Sequence, residues 1–332
     1  MNDLLKSAKA IAQTLQQAGH TCYFAGGCVR DLLLNITPKD YDLATSAPPQ
    51  DVLKLFPKAD SIGAHFGVIL VKHHGHGFEI ATFRTDGTYL DGRRPETVSF
   101  STPKLDASRR DFTINGIFQD PQTHTIIDFV DGQVDIERKL VRAIGIPSER
   151  FQEDALRLLR AIRFATKLGF TIEPNTWQAI VENAELLQHI AVERVQAEFN
   201  LILLSKHRAH GLDLLVKSGL ILHIIPEIID LIGCEQPPQF HPEGDVYIHT
   251  KMMLNMLEGD ITLELCLAVL LHDIGKPGTY SYDPEEDRIR FSGHDALGAE
   301  MAESIMRRLK YSNKTIEDVC AMVANHMNFM NV

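Results

Sequence analysis

A glycine pair wedged between a β-favouring run and a helix-favouring run, with two acids flanking a tyrosine just downstream, leaves this chain few ways to fold. Thr21 to Phe24 reads as a short strand and Val29 to Leu34 as the first turns of a helix, so Gly26-Gly27 forms a tight turn beside a helix N-terminus. Paired glycines let backbone N–H groups approach a ligand without a Cβ in the way. The helix end adds partial positive charge, so the spot suits phosphate oxygens. Arg30-Asp31 follows at once. Taken alone, the stretch is equally an ordinary turn before a solvated ion pair, and the residues that follow carry the argument.

Asp40 and Asp42 stand at i and i+2. On a strand both carboxylates project from one face, with Cα atoms roughly 6–7 Å apart. Hard oxygen donors so placed can hold Mg²⁺ between them. An exposed acidic turn through Pro38-Lys39-Asp40 is the plainer alternative. Glu79, in Phe78-Glu79-Ile80-Ala81-Thr82-Phe83-Arg84, offers a third carboxylate from a neighbouring strand, or else an outward-facing edge-strand acid.

Three more motifs follow: Arg109-Arg110-Asp111 before Phe112-Thr113-Ile114-Asn115-Gly116, Asp128-Phe129-Val130-Asp131-Gly132, and the run from Glu153 through Asp154, Arg157 and Arg160 to Arg163. The order GGxVRD, DxD, RRD, DxxDG, EDxxRxxR resembles the class II tRNA nucleotidyltransferases, that is, the CCA-adding enzymes and their A-adding, CC-adding and poly(A) polymerase relatives. The resemblance is strong over roughly residues 20–210. It implies an α+β fold, in which a DNA polymerase β-like nucleotidyltransferase head with a small mixed sheet precedes an all-helical neck and body. It also implies two Mg²⁺ ions on Asp40 and Asp42 with Glu79 as a further catalytic acid, CTP and ATP as substrates and the acceptor end of tRNA as partner.

Leu156, Leu159, Ile162 and Phe164 predict a helix over Glu153–Arg163 with its charges on the other side, which makes Asp154 and Arg157 i, i+3 neighbours. A surface ladder of ion pairs satisfies that spacing. Cytosine and adenine, however, share an amino donor beside a ring-nitrogen acceptor. A carboxylate next to a guanidinium complements that edge and opposes those of uracil and guanine. By resemblance, Asp154 and Arg157 select the base and Arg160 supports them. Gly26, Gly27, Arg30, Arg109 and Arg110 bind the nucleotide, and Asp111 holds its sugar. The aperiodic stretch Thr85–Arg94 reads as a mobile loop; relatives that add the terminal A keep such a loop, which argues against a pure CC-adding enzyme.

The last third carries a separate constellation: His249, His272-Asp273-Ile274-Gly275-Lys276-Pro277, Gly293-His294-Asp295 and His326. It resembles an HD-type phosphohydrolase domain. Leu263 to Leu271 predicts an apolar helix ending at His272-Asp273, where Gly275 and Pro277 stop it. Imidazole plus carboxylate suits a divalent transition metal, with His249, His272, Asp273, His294 and His326 as its ligands. The family's sites usually end with a further Asp, and none stands clearly in place after His326. The helical pattern also lacks a stop signal before Val332, as in a chain that is truncated or one that simply ends there.

Punctuation at Gly145-Ile146-Pro147 and at Gly233–Pro242 predicts a head over 1–145, a neck over 146–232 and a body over 233–332. No repeat or low-complexity tract interrupts them. No apolar run approaches the roughly 20 residues of a membrane span, no signal peptide is evident, and five scattered cysteines without a CxxC pair fit reduced thiols in a cytoplasm. A net charge of −11 repels RNA as a whole. Local clusters must therefore compensate, and the candidates are Arg138-Lys139, Arg142, Arg157, Arg160, Arg163, Lys167 and Lys206-His207-Arg208. Two rival functions share these motifs: a poly(A) polymerase, and a metal-dependent 2′,3′-cyclic phosphodiesterase or phosphatase with an idle head.

Overall fold

Ala8, Ile11, Ala12 and Leu15 recur at helical spacing, and Asp3–Gln17 is a helix that buries this stripe. The stripe covers a six-stranded sheet. The strands are β1 (Cys22–Ala25), β2 (Asp42–Thr45), β3 (Val68–His73), β4 (His76–Thr82), and, after a ribbon of β5 (Arg84–Asp86) with β6 (Val98–Phe100), β7 (Phe118–Gln119) and β8 (Ile126–Ile127). Their order is β3-β4-β2-β1-β7-β8. Only β2 and β4 run parallel; the other neighbours are antiparallel. The computed structural model describes residues 3–61, 66–87, 97–237, 239 and 241–331. Its contacts divide the chain into two units, Met1–Arg157 with Thr171–Ala179, and Leu158–Phe170 with Ile180–Val332.

The first unit is the mixed α+β part. Phe83, Phe118, Ala25, Ala44 and Ala107 form a buried cluster under the site, with Tyr23, Ile127 and Val130 against it. Among its described residues, the second unit is helical apart from the ribbon Ser281–Asp283/Arg288–Arg290. Three of its helices start where a side chain caps them: Asp245 accepts from Ile248 N, Thr262 from Leu265 N and Ser312 from Thr315 N. Among the described residues no helix is long and apolar enough to cross a membrane.

Three local expectations change. Asp40 lies just ahead of β2 rather than within it. Its alternation with Asp42 survives because Tyr41 between them is buried, its ring 5.0 Å from that of Phe24. The single helix over Glu153–Arg163 is two helices, Pro147–Glu153 and Leu156–Leu168, with Asp154 extended at φ −147°, ψ 102° between them. Asp154 Oδ1 accepts from Leu156 N at 3.1 Å, the local bond by which Asp favours a helix start over an interior. The loop expected over Thr85–Arg94 begins later, since Arg84–Asp86 pair with Val98–Phe100; its residues 88–94 lie outside the described residues.

The basic cluster is in large part consumed internally. Arg142 pairs with Asp135 at 3.0 Å, Arg163 with Glu198 at 2.5 Å, and Arg157 with Glu153 at 2.7 Å. Arg208 is buried and donates to the Leu203, Leu254 and Leu257 carbonyls, closing two helix C-termini. Arg138, Lys139, Lys167, Lys206 and His207 are exposed.

Candidate functional site

Gly26 has φ 71°, a region favouring glycine. A Cβ there would also meet Arg110 Nη1 at 3.1 Å. The turn is therefore a seat for the Arg110 guanidinium, which donates to Asn115 O at 3.5 Å and lies 5.1 Å from the Phe118 ring centre. Asp106, on the helix Pro103–Ser108, anchors it: Oδ2 takes Arg110 Nη2 at 3.0 Å while Oδ1 takes Arg109 Nη2 at 2.7 Å. Burial of Asp106 opposes its ionisation, yet Arg110 and Arg109 together hold its carboxyl below the usual range. Asp106 is missing from the sequence reading. Its signal is the i+3 and i+4 spacing to Arg109 and Arg110 at the end of a short helix.

Arg30 is buried, bonded to Asp31 Oδ1 and, at 2.7 Å, to Asn115 Oδ1. Asn115 Nδ2 in turn donates to Asp111 Oδ1 at 3.1 Å, and that oxygen also accepts from Phe112 N at 2.7 Å. Arg30 and Asp111 thus share one buried link, Asn115, which no local pattern announces.

The acids gather on the open side of the sheet. Leu43 pairs with Ile80 in the parallel β2/β4 register, so Asp42 and Glu79 are neighbours one step back. Both are exposed while Leu43 and Ile80 are buried. The Asp42 carboxyl is pushed up to about 6, first by desolvation, then by the charges of Asp40 and Glu79, with Arg110 opposing. Like charges crowded enough to raise a pKa accept a divalent cation readily, so this oxygen set fits Mg²⁺.

Beyond this face, Arg157 is buried, its guanidinium donating to Glu153, to Arg150 O at 3.1 Å and to Arg109 O at 3.3 Å. Its ion-pair partner is thus Glu153, with Asp154 in the break beside it. Arg160 belongs to the second unit, where it lies 3.9 Å from Glu198.

A second constellation surrounds Asp273, which is 2% exposed. Oδ2 faces His272 Nε2 at 3.1 Å and His249 Nε2 at 3.7 Å; Oδ1 faces His294 Nε2 at 3.5 Å and His326 Nε2 at 3.6 Å. Lys276 Nζ is 2.8 Å from Oδ2 and donates to Gln236 Oε1. Each imidazole is held from behind at Nδ1: His272 by Val269 O, His294 by Phe291 O, His326 by Val323 O and His249 by Glu243 Oε1 at 2.6 Å. These contacts fix the Nδ1–H tautomers and turn four Nε2 lone pairs inward. Gly275 makes the approach possible, because a Cβ there would lie 2.4 Å from His294 O.

Burial opposes ionisation of Asp273, but His272, His326 and Lys276 hold its carboxyl well below the usual range. Burial lowers the pKa of His249 and of His294, which favours their neutral forms with a free ring-nitrogen lone pair. Oδ2 is buried without a well-oriented hydrogen bond. Four imidazoles and a carboxylate fit a divalent transition metal. A cavity of about 990 Å³ opens onto them, walled by residues that include Lys276, Arg288, Arg290 and Phe291.

Family profiles match all three stretches: "Poly A polymerase head domain" at residues 22–142, "Probable RNA and SrmB-binding site of polymerase A" at 169–232 and "HD domain" at 245–332. A solved structure, the Bacillus stearothermophilus CCA-adding enzyme in complex with CTP, covers all of this chain and 72% of its own at 32% identity and TM-score 0.72. The chain belongs to the tRNA nucleotidyltransferase and poly(A) polymerase family. Among curated members, the CCA-adding enzymes of Limosilactobacillus fermentum and Geobacillus stearothermophilus are 46% and 47% identical over 217 and 221 residues. Those matches take in 65% and 66% of this tRNA nucleotidyltransferase relative and 54% of each curated protein. The chain thus spans about half the length of the curated relatives it matches. The Thermotoga maritima CCA-adding enzyme complexed with tRNA shares the family fold at TM-score 0.62 and 21% identity, covering 99% of this chain and 82% of its own.

Proposed function

We propose that this chain is a template-independent tRNA nucleotidyltransferase that transfers CMP and AMP from CTP and ATP to the tRNA 3′ end in a cytoplasm. One observation carries the reading: three carboxylates, Asp40, Asp42 and Glu79, crowd together on the open face of the sheet near Arg110, which the Gly26 turn seats. The CCA-adding enzymes among its relatives support it over a poly(A) polymerase. The 3′-hydroxyl attacks the α-phosphorus, the bond to the bridging oxygen breaks, and pyrophosphate leaves. When bound at Asp40 and Asp42, Mg²⁺ supplies Lewis-acid stabilisation of the attacking and leaving oxygens. Glu79 keeps the neighbouring carboxylates ready for a cation, and Arg109 and Arg110, aimed by Asp106, receive triphosphate oxygens. Asp111, steadied by Asn115, holds the sugar. Asp154 and Arg157 read the amino and ring-nitrogen edge shared by C and A, supported by Arg160, which makes a template unnecessary. The work divides among a head over 1–145, a neck over 146–232 and a body over 233–332.

The Asp273 cluster and its cavity favour a second activity in the same chain, hydrolysis of a phosphate ester at the tRNA end, with Lys276 as a cation for the phosphate.

Single-nucleotide extension with Mg²⁺ of tRNA transcripts ending at the discriminator base, at CC and at CCA tests the main reading. CCA on the shortest transcript supports it. Addition of A to the CC end alone restricts it to an A-adding specialist, long A tails replace it with a poly(A) polymerase, and no incorporation overturns it.

A further inference from the structure

Arg30 is 4% exposed, and its guanidinium is held on two sides. Nε and Nη2 donate to Asp31 Oδ1 at 2.9 and 2.6 Å, while Nη1 donates to Asn115 Oδ1 at 2.7 Å. Asn115, 7% exposed, passes the contact on, its Nδ2 donating to Asp111 Oδ1 at 3.1 Å. We propose that Arg30 and Asn115 are positioning residues that fix the Asp111 carboxylate and thereby set the preference for a ribonucleotide over a deoxyribonucleotide. The inference rests on the reading that Asp111 holds the sugar. It adds which residues hold Asp111 and which part of the substrate they decide.

Donor chemistry dictates what can stand at position 115. A guanidinium only donates and an ionised carboxylate only accepts, so a side chain linking them must accept at one end and donate at the other. A primary amide does both. Arg30 claims the amide oxygen, which turns the NH₂ group to Asp111 and leaves the amide one orientation. Neither isostere of Asn makes this link: Asp would set a second charge against Asp111, and Leu offers neither end. The link is buried, where an unmade hydrogen bond is costly, so the chain of contacts resists turning. Asp111 Oδ1 also accepts from Phe112 N at 2.7 Å, so two protein donors fix that oxygen.

Ribose differs from deoxyribose by one 2′-hydroxyl, a donor that a carboxylate accepts. A site built around a substrate hydroxyl rejects the analogue lacking it because the site's own polar group is then left unpaired. That penalty requires a carboxylate that does not swing to a substitute partner, which Asn115 and Arg30 enforce from behind. The helix Gly27–Leu33 packs on the turn Thr113–Asn115, so Arg30 is itself presented by a fixed element. The triphosphate side uses a different part of the same residue: the Asn115 backbone carbonyl accepts from Arg110 Nη1 at 3.5 Å. A side-chain substitution leaves that carbonyl in place, which separates sugar selection from triphosphate binding.

The test is extension of tRNA transcripts by the full chain with Mg²⁺, with CTP against dCTP on the transcript ending at the discriminator base and ATP against dATP on the one ending at CC. The ratio of kcat/KM for each ribo and deoxyribo pair is measured for the parent, Asn115→Ala, Asn115→Asp, Arg30→Lys and Asp111→Asn. The parent is expected to prefer the ribonucleotide. Asn115→Ala should lower the ratio about tenfold, the loss falling more on the ribonucleotide, with Asn115→Asp at least as severe and Arg30→Lys in the same direction. Asp111→Asn should remove most of the preference, and adding Asn115→Ala to it should change the ratio no further, because the effect passes through Asp111. An unchanged ratio in the Asn115 and Arg30 variants, with a lowered one in Asp111→Asn, overturns the relay and spares the sugar reading. An unchanged ratio in Asp111→Asn overturns both. Both nucleotides are read on one preparation, so partial loss of folded protein lowers the two rates alike and leaves the ratio unmoved. Where one variant does not fold, the others read the same ratio.

Discussion

Asp42 and Asp273 are both acids at the centre of a candidate metal site, and they are treated in opposite ways. Asp42 starts a central strand, on the open face of the sheet beside Asp40 and Glu79, and its carboxyl is pushed up to about 6. Asp273 is enclosed by four imidazoles and a lysine, and His272, His326 and Lys276 hold its carboxyl well below the usual range against burial. A crowd of oxygens with no nitrogen donor suits a hard ion that arrives with a triphosphate and leaves with pyrophosphate. An enclosed nitrogen-rich set, oriented from behind by carbonyls and a carboxylate, suits an ion that stays. On the proposed function, the first site turns its metal over and the second retains it.

The comparison breaks most sharply at Asp42. Asp42→Asn is expected to lower nucleotide incorporation at least about 100-fold, beyond the 10–100-fold typical of residues that only support a metal ligand. The same change is expected to raise the melting temperature of the metal-free protein at neutral pH by about 1–3 °C, because it removes a repelled charge. A fall in melting temperature, read by differential scanning calorimetry, means Asp42 is held by attraction and the contrast with Asp273 is lost.

Asp106→Asn loosens both arginines at once, and steady-state kinetics should show the nucleotide KM rising roughly tenfold, about 1.4 kcal/mol of lost positioning, with kcat less affected. An unchanged KM removes Arg109 and Arg110 from the triphosphate.

The pH dependence follows from the sign of the Asp42 shift. Its folded-state pKa of about 6 exceeds the ordinary 3.8, so protons bind the folded site more tightly and their loss costs stability as pH rises from about 4 to 6. Metal binding wants the opposite form. At subsaturating Mg²⁺, incorporation should fall several-fold as pH drops through 6 and recover with added Mg²⁺; a flat profile sinks the assignment.

Chelation separates the sites in another way. A resident ion at about 100 times its dissociation constant contributes roughly 2.7 kcal/mol, so stripping it should lower the melting temperature by on the order of 5 °C, reversed by Mn²⁺ but not by Mg²⁺. Equal rescue by both ions erases the distinction. The smallest effect expected is at Arg160: with its guanidinium near Glu198, Arg160→Ala should change CTP and ATP incorporation less than about threefold.

Much of the fold was readable along the chain wherever its determinants are local. The Gly26 turn, the in-out alternation of Asp40, Tyr41 and Asp42, and the helix ending at Leu271 each follow from residues within a few positions of one another. The break at Asp154 escaped a reading based on apolar period, since Leu156, Leu159 and Ile162 repeat identically whether the helix starts at Glu153 or at Leu156. The side chain's bond to Leu156 N decides where it starts. Arginines read as RNA-facing proved internally paired for a related reason: the sequence position of Arg163 says nothing of Glu198, 35 residues away.

Sequence by itself determined the motif order, the donor types and the families they resemble, because those are properties of residues and their near neighbours. Tertiary structure alone decided how the donors combine. It brought His249 and His326 to one carboxylate from opposite ends of the stretch 245–332, gave each oxygen of Asp273 its own pair, and tied Arg30 to Asp111 through Asn115. Such convergence depends on helix packing and close contacts like Gly275 against His294 O, where a single Cβ would hold the elements apart.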